Sequence, residues 1–152
     1  MLEKLDRFIA NFLGGIIVFL VGLTTLQVVM RYVFDSPLTW AEEFIGVVMI
    51  YFGMIGGAWG VKHGIHIALE VFVKKFLRFA ERWVDWFEFS ITAFMGVFEL
   101  VYGVKIVSLT RYQILPATGI VVAYSYAAIP IAGFLMIVFS IGRLVEALRR
   151  ER

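Results

Sequence analysis

The chain has 152 residues, of which 61% are hydrophobic, and its mean hydropathy is +0.89. A soluble domain of this size has too little interior to hide so much apolar surface, so we expect lipid to surround it. The net charge of only +2 gives no basic surface for nucleic acid, and the lack of cysteine excludes disulfides, iron–sulfur clusters and thiolate zinc sites.

Four apolar segments predict membrane-spanning helices, because each is long enough to cross a hydrocarbon core of about 30 Å at about 1.5 Å per residue. We place these spans at about residues 8–30, 41–61, 84–104 and 124–142. The first segment is too long for a signal peptide, and no small-residue cleavage site follows it, so we expect an uncleaved span. The predicted fold class is an all-α integral membrane protein with a single four-helix membrane domain.

The connection between the second and third spans has a different character. Basic residues collect there, at Lys62, Lys74, Lys75, Arg78 and Arg82. Apolar residues recur at spacings of three and four, at Ile65, Leu69, Phe72, Phe76, Phe79 and Trp83. This pattern predicts a basic amphipathic helix over about 65–82 that lies in the membrane interface against lipid headgroups. A loop helix covered by protein is the alternative.

The basic residues also predict the orientation in the membrane. Eleven of the fourteen Lys and Arg residues lie in the N-terminal segment, the 62–83 connection and the C-terminal tail. Only Arg31, Lys105 and Arg111 lie in the other two connections. Because basic residues favour the cytoplasmic side, we expect both termini in the cytoplasm and the connections 31–43 and 105–124 outside.

Glycines in the second span are candidates for helix packing. Gly53 and Gly57, together with Gly56 and Gly60, form two overlapping pairs of small residues spaced by four. Such pairs let a neighbouring helix approach closely. The alternative is that glycine is simply frequent in membrane helices.

The third span contains two carboxyl groups. Glu88 and Glu99 are eleven residues apart, which places them about 20° apart around a helix. Carboxyls inside a span are costly and indicate a functional site or a partner contact. One interpretation is a structural carboxyl that is held protonated or paired with a partner subunit, and the other is coupling to an ion.

The first connection and the start of the second span hold a charged cluster of Arg31, Asp35, Glu42 and Glu43. Acidic residues at a helix N-terminus are favoured by the helix dipole, so a cap and an Arg–Glu pair that joins the first two spans are expected. Contact with another subunit is the second interpretation. Trp40 is expected at headgroup depth, where amphipathic rings collect.

The segment 31–43, which reads Arg-Tyr-Val-Phe-Asp-Ser-Pro-Leu-Thr-Trp-Ala-Glu-Glu, resembles the signature of the small permease family of tripartite (TRAP) transporters for C4-dicarboxylates and sialic acid. Two weaker matches are His63-Gly64-x-His66-Ile67 after the second span, and Leu115-Pro116 with Ile129-Pro130-Ile131 at the fourth. The resemblance covers essentially the whole chain. One departure is Asp35, where the family frequently has Asn.

The resemblance implies a role as the small membrane subunit of a bacterial inner-membrane transporter. In such systems a large membrane subunit carries the substrate and sodium sites, and a periplasmic binding protein delivers an organic acid. The small subunit would act as a scaffold. The expected partners are therefore the large subunit, the binding protein and membrane lipids. We expect no cofactor in this chain, and sodium only in the large subunit.

Other functions have less support in the sequence. A stand-alone four-helix exporter of small solutes normally needs a carboxylate in its first span, which has none here. A membrane anchor of a redox complex needs axial histidines within the bilayer, and the two histidines, His63 and His66, lie at its boundary. An enzyme would need a clustered nucleophile, base or metal ligands, and no such cluster is evident. We therefore expect that the protein is not an enzyme.

Overall fold

The computed structural model describes residues 2–62 and 81–150 as an all-helical fold. Its helices are α1 (Leu2–Tyr32), α2 (Thr39–Lys62), α3 (Glu81–Leu109), α4 (Val122–Tyr126) and α5 (Ala128–Arg150). Four segments are long and apolar enough to cross a membrane: Arg7–Tyr32, Thr39–Val61, Phe89–Leu109 and Val122–Val145. The predicted all-α fold with four spanning helices is confirmed.

The amphipathic helix predicted over about 65–82 falls, apart from its last two residues, outside the described residues. His63 and His66 lie there too. Both expectations for this connection, a helix in the interface or a helix covered by protein, therefore stay predictions.

The spanning helices pack as an open row. The most extensive contact joins α3 to α5, the next joins α5 to α2, and the third joins α2 to α1. The short α4 contacts α2 and α3. The share of residues buried within the apolar window is 28% in the fourth span and 6% in the first. Most of the surface of α1 is therefore not covered by the other described residues.

Two names describe the ends of this row. The loop end holds the turn between α1 and α2 and the segment 110–121, and the terminal end holds the start of α1 and the last turns of α5. A core of buried apolar side chains lies toward the terminal end and consists of Ile9, Leu13 and Phe139, packed against Phe52, Ile55, Trp59 and Leu135. Arg143 of α5 donates a hydrogen bond of 3.1 Å to the Val61 carbonyl. This bond joins α5 to the last described turn of α2.

Glycines bring α3 and α5 into backbone contact. A Cβ atom added at Gly133 would lie 2.6 Å from the Gly96 carbonyl oxygen and 2.7 Å from the Leu100 nitrogen. A Cβ atom at Gly103 would lie 2.7 Å from Cδ of Pro130. In lipid, where burial of apolar surface gives helices little reason to associate, this close approach supplies the dispersion energy that holds them together.

The fourth span is interrupted at Ala127, between α4 and α5. Pro130 lies in the first turn of α5 and has no N–H to donate to the carbonyl of Tyr126. The Ala127 N–H bonds to the carbonyls of Ala123 and Tyr124, so helical backbone continues through the interruption. Tyr51 of α2 fastens this region by donating a hydrogen bond of 2.7 Å to the Tyr124 carbonyl.

Substitution of Gly133 by alanine should destabilise the isolated subunit in detergent. The added methyl group would meet backbone atoms of α3 that cannot move aside, and overpacking of this kind costs about 1–3 kcal/mol. The measurement is thermal unfolding followed by circular dichroism. Gly22→Ala is the matched control, because a Cβ atom there meets nothing within 4 Å. Equal unfolding temperatures for the two variants would contradict the proposed contact.

Candidate interaction site at the loop end

The chain reverses direction sharply between α1 and α2. Asp35 has a φ of +50°, in the left-handed region, and the Ser36 N–H donates to the Met30 carbonyl at 2.9 Å. Asp and Asn are the residues other than glycine that enter this region most readily. Asp35 can therefore adopt the same left-handed backbone conformation as the Asn that the resembled family often has at this position.

Glu42 joins α2 to α1 at the loop end. Its Oε1 accepts a hydrogen bond of 2.8 Å from Gln27 Nε2 and lies 3.4 Å from Nη1 of Arg31. The predicted Arg–Glu pair between the first two spans is confirmed. The Arg31 and Glu42 side chains are more than half exposed in the isolated chain, at 56% and 58%. An ion pair this exposed to water contributes about 0–1 kcal/mol, so its main effect is to fix the register of the two helices.

The Glu43 side chain contacts the connection between α3 and α4. Its Oε1 accepts a hydrogen bond of 2.9 Å from the Ala117 N–H. Its Oε2 accepts bonds of 2.8 Å from both the N–H and the hydroxyl of Thr118. One carboxylate thus satisfies three donors, two of them backbone groups at the tip of a turn. We call this set of contacts the Glu43 clasp.

The turn that Glu43 holds is the tip of a small hairpin over residues 113–122. An isolated antiparallel bridge pairs Ile114 with Val121, and the Leu115 N–H donates to the Ile120 carbonyl at 2.8 Å. The predicted turn at 115–119 is confirmed, with Pro116 at its start and Gly119 at a φ of +70°. Pro116 has no N–H, so the next two backbone N–H groups are the ones that remain for the carboxylate.

Exposed aromatic rings surround these two connections. Tyr32 is the last residue of α1 and Phe34 follows it, Trp40 lies in the first turn of α2, and Tyr112 precedes the hairpin. The guanidinium of Arg111 lies 4.5 Å from the centre of the Tyr112 ring, within the range of a cation–π contact. Amphipathic rings of this kind suit either the headgroup region or a protein interface.

The remaining candidate residues lie away from the loop end. Glu99 faces α5, where its Cβ is 3.0 Å from the position of a Cβ on Gly133. Its Oε2 is buried and accepts no hydrogen bond from the described residues. Glu88 lies on α3, and its side chain is outside the described part. The structural and the ion-coupling interpretations of both residues stay predictions.

Gly53 and Gly57 do not form a helix interface within the described part of this chain. Both are exposed, and a Cβ atom at either position would meet nothing within 4 Å. The glycines that bring helices together are instead Gly96, Gly103 and Gly133. The interpretation of Gly53 and Gly57 as a contact for another subunit stays a prediction.

The described polar contacts of the loop end brace its two connections against α2. The described residues contain no group of three or more His, Asp or Glu side chains that could hold a metal ion. The two carboxylates at the start of α2 are engaged by uncharged donors and by Arg31. The link from Glu43 to Thr118 was missed by sequence reasoning because 75 residues separate them. The sequence indicates the turn at 115–119 and the acidic start of α2, but it does not indicate that they are in contact.

Comparison with known proteins identifies the family. The profile of the DctQ component of the tripartite ATP-independent periplasmic transporters matches residues 20–150. The chain belongs to this family. It is a family of transporter subunits and not of enzymes, and symport and organic acid uptake are typical of it. The resemblance seen in the segment 31–43 is thereby confirmed.

Individual relatives differ in how much of their length this small permease chain matches. It is 27% identical over 128 residues to a TRAP transporter small permease protein of Haemophilus influenzae, which is 82% of this chain and 77% of that protein. It is 24% identical over 140 residues to the sialic acid TRAP transporter permease protein SiaT of Haemophilus influenzae. That match covers 89% of this chain but only 21% of SiaT. A third relative, the C4-dicarboxylate small permease protein DctQ of Vibrio cholerae, is 28% identical over 71 residues, 47% of this chain and 29% of that protein.

Replacement of Glu43 by alanine should loosen the 113–122 hairpin. Hydrogen bonds to a charged acceptor contribute about 1.5–3 kcal/mol each, so loss of the carboxylate should speed amide exchange at the hairpin tip by about tenfold or more. The measurement is hydrogen–deuterium exchange by mass spectrometry of the peptide that covers the hairpin. Glu42→Ala is the control, because it releases α1 and leaves the Glu43 clasp intact. The clasp would be refuted by equal exchange in both variants.

Proposed function

We propose that this chain is the small membrane subunit that scaffolds the large permease subunit of a TRAP-type transporter. The transporter would take up an organic acid, coupled to sodium, after a periplasmic binding protein delivers it. The observation that carries the proposal is the match to SiaT, in which a region similar to 89% of this chain makes up 21% of a longer permease. In that protein a unit like this one is joined to a much larger remainder.

The internal bracing of the chain supports a scaffold role. Backbone contact between α3 and α5 leaves no space for sliding, since even a methyl group at Gly133 does not fit. The Glu43 clasp joins α2 to the hairpin at the loop end, and the hydrogen bond from Arg143 to Val61 joins α5 to α2 at the terminal end. A partner that moves during transport needs a rigid body beside it, and a unit fixed at both ends meets that need.

The substrate class follows from the names of two relatives. SiaT is named for sialic acid and the Vibrio cholerae protein for C4-dicarboxylates, and both compounds are carboxylic acids. We therefore propose an organic acid as substrate, bound with sodium by the large subunit. No cofactor is assigned to this chain, whose proposed part in the cycle is mechanical.

We also propose that the loop end faces the periplasm and that both termini face the cytoplasm. Three of the fourteen Lys and Arg residues, Arg31, Lys105 and Arg111, lie in or beside the loop end, and the other eleven lie in the termini and the 62–83 connection. An excess of this size favours one orientation strongly. The loop end would then be the part of the chain that meets the periplasmic binding protein.

Cysteine labelling tests this orientation, since the chain has no native cysteine. In intact cells with a permeable outer membrane, a membrane-impermeant maleimide should label a Ser36→Cys variant. It should label a Lys75→Cys variant only after the inner membrane is opened. The reverse pattern would overturn the proposed orientation.

Reconstituted uptake tests the scaffold role. Proteoliposomes with the large subunit and the binding protein of the proposed transporter, under a sodium gradient, should accumulate the substrate only when this chain is present. Vesicles with this chain alone should show no flux. Uptake by the large subunit alone would remove the need for a scaffold, and flux through this chain alone would indicate an exporter.

A Glu99→Gln variant in the same vesicles separates a structural carboxyl from an ion-coupling one. The amide keeps the size of the side chain and loses only its charge and proton chemistry. We expect uptake within about twofold of the unchanged chain, because the proposed sodium site lies in the large subunit. Complete loss of uptake with normal assembly would assign ion coupling to Glu99.

A further inference from the structure

Three aromatic side chains form a ladder on the exposed surface of α3. The ring centres of Phe94 and Phe98 lie 6.5 Å apart, and those of Phe98 and Tyr102 lie 4.3 Å apart, so neighbouring rings interact directly. The three residues are 68%, 46% and 48% exposed. Successive rings are four residues apart, so the ladder runs along the helix toward the loop end and finishes with the Tyr102 hydroxyl. We call these three side chains the aromatic ladder.

Lys105 lies on the same face of α3 as the aromatic ladder. At 100° per residue, the ladder covers an arc of about 80° around the helix, and Lys105 falls inside that arc. Lys105 is exposed. Because α3 continues to Leu109, the Cα atom of Lys105 lies about 6 Å before the end of the helix, at about 1.5 Å per residue. Lys105 is therefore inside the apolar segment Phe89–Leu109 and close to its loop end.

Lys105 differs from the other two basic residues in or beside the loop end. Arg31 is paired with Glu42, and the Arg111 guanidinium lies over the Tyr112 ring. The Lys105 ammonium contacts no carboxylate and no ring among the described residues. An unpaired cation on the outer surface of a span is costly, and lysine lowers that cost by extending its charged end toward the lipid headgroups. A neutralising charge for Lys105 would have to come from outside the described residues.

The length of this surface matches one leaflet of a bilayer. Phe94 and Lys105 are eleven residues apart, which is about 17 Å along a helix. Half of a hydrocarbon core of about 30 Å is about 15 Å. A phospholipid has an apolar chain over this length and an anionic phosphate at its end. The aromatic ladder and Lys105 have the complementary order, with apolar rings toward the membrane interior and a cation toward the headgroups.

A second helix fits the same surface less well than a lipid does. Close approach of two membrane helices needs small residues at the contact, and Gly96 and Gly103 of α3 are already filled by α5. The aromatic ladder instead presents three large rings on a convex surface, which a flexible acyl chain can follow. Lys105 is the only charged residue of the segment 89–109 that falls within the arc of the ladder. The surface therefore carries one uncompensated positive charge beside apolar rings.

We propose that the aromatic ladder and Lys105 bind one anionic phospholipid of the leaflet at the loop end. The phosphate of this lipid accepts hydrogen bonds from the Lys105 ammonium and the Tyr102 hydroxyl, which are neighbours on the helix surface because they are three residues apart. One acyl chain lies along Phe98 and Phe94. An anionic headgroup is preferred to a zwitterionic one, because its phosphate has no amine of its own to contact. This site does not depend on the scaffold function proposed above.

Native mass spectrometry of the purified chain in detergent tests the headgroup contact. The probes are phosphatidylglycerol, which is anionic, and phosphatidylcholine, which is zwitterionic, added at equal concentrations. One phosphatidylglycerol should bind about tenfold or more tightly than phosphatidylcholine, because hydrogen bonds between charged groups are the strong ones. Lys105→Gln should abolish this preference, and Lys105→Arg, which keeps the positive charge, should retain it.

Arg111→Gln is the matched control for the headgroup contact, because it removes one positive charge from the same region and leaves Lys105 in place. This variant should keep the preference for phosphatidylglycerol. An equal loss in both glutamine variants would indicate a general attraction of anionic lipid to basic residues, and it would overturn the proposed site. An unchanged preference in Lys105→Gln would overturn it as well.

Removal of one ring tests the acyl-chain contact. Phe98→Ala should weaken the binding of phosphatidylglycerol by about fivefold or more, because it removes apolar surface beside the chain. Phe12→Ala on α1 is the matched control. Phe12 is 47% exposed, against 46% for Phe98, and its ring is also paired, with Phe8 at 6.3 Å. Equal binding by the two variants would contradict the role of the aromatic ladder.

Purification of the complete transporter from membranes distinguishes a lipid from a protein at Lys105. The unchanged chain should retain phosphatidylglycerol through purification, and the Lys105→Gln variant should lose it while the yield of complex with the large subunit stays the same. A lower yield of complex with Lys105→Gln would assign the Lys105 ammonium to a carboxylate of another subunit and overturn the lipid site.

Discussion

The contact between the backbones of α3 and α5 determines how the other helices can be arranged. Gly96 and Gly133 set the separation of these two helices, and Gly103 accepts the ring of Pro130. α5 then offers its remaining surface to α2, and α2 in turn holds α1. α1, the first span in the sequence, thus packs mainly against α2. The result is an open row, in which α1 and α3 lie at the two edges.

The sequence predicts those features that depend on local composition. Apolar length alone identifies the four spans, because no soluble alternative can bury so much surface. The pair of Arg31 and Glu42 is also accessible to sequence reasoning, since both lie beside one short turn. The hydrogen bond between Glu43 and Thr118 cannot be predicted from the sequence, because no local pattern identifies the distant backbone donors that a carboxylate contacts. Likewise, the glycines of α2 and α3 look alike in sequence, and only the structure distinguishes the filled positions from the open ones.

Membership of the TRAP small permease family agrees with what the molecule contains and with how it is built. The described residues show bracing at the loop end, a buried cluster toward the terminal end and close packing between them. A protein that carried substrate itself would need a cavity that opens and closes. In the described part of this chain the polar groups mainly hold connections in place, and the broad apolar surfaces of α1 and α3 are not covered by the described residues.

The start of α2 has a mechanical consequence. Glu42 reaches back to the first span, and Glu43, the next residue, reaches forward to the 113–122 hairpin. Because consecutive residues on a helix are fixed relative to each other, a movement of either connection that keeps its contact with α2 also moves the residue that holds the other connection. A force applied to the hairpin is transmitted through a single helical turn to the end of α1. The first turn of α2 is thus in contact with both connections of this end of the molecule.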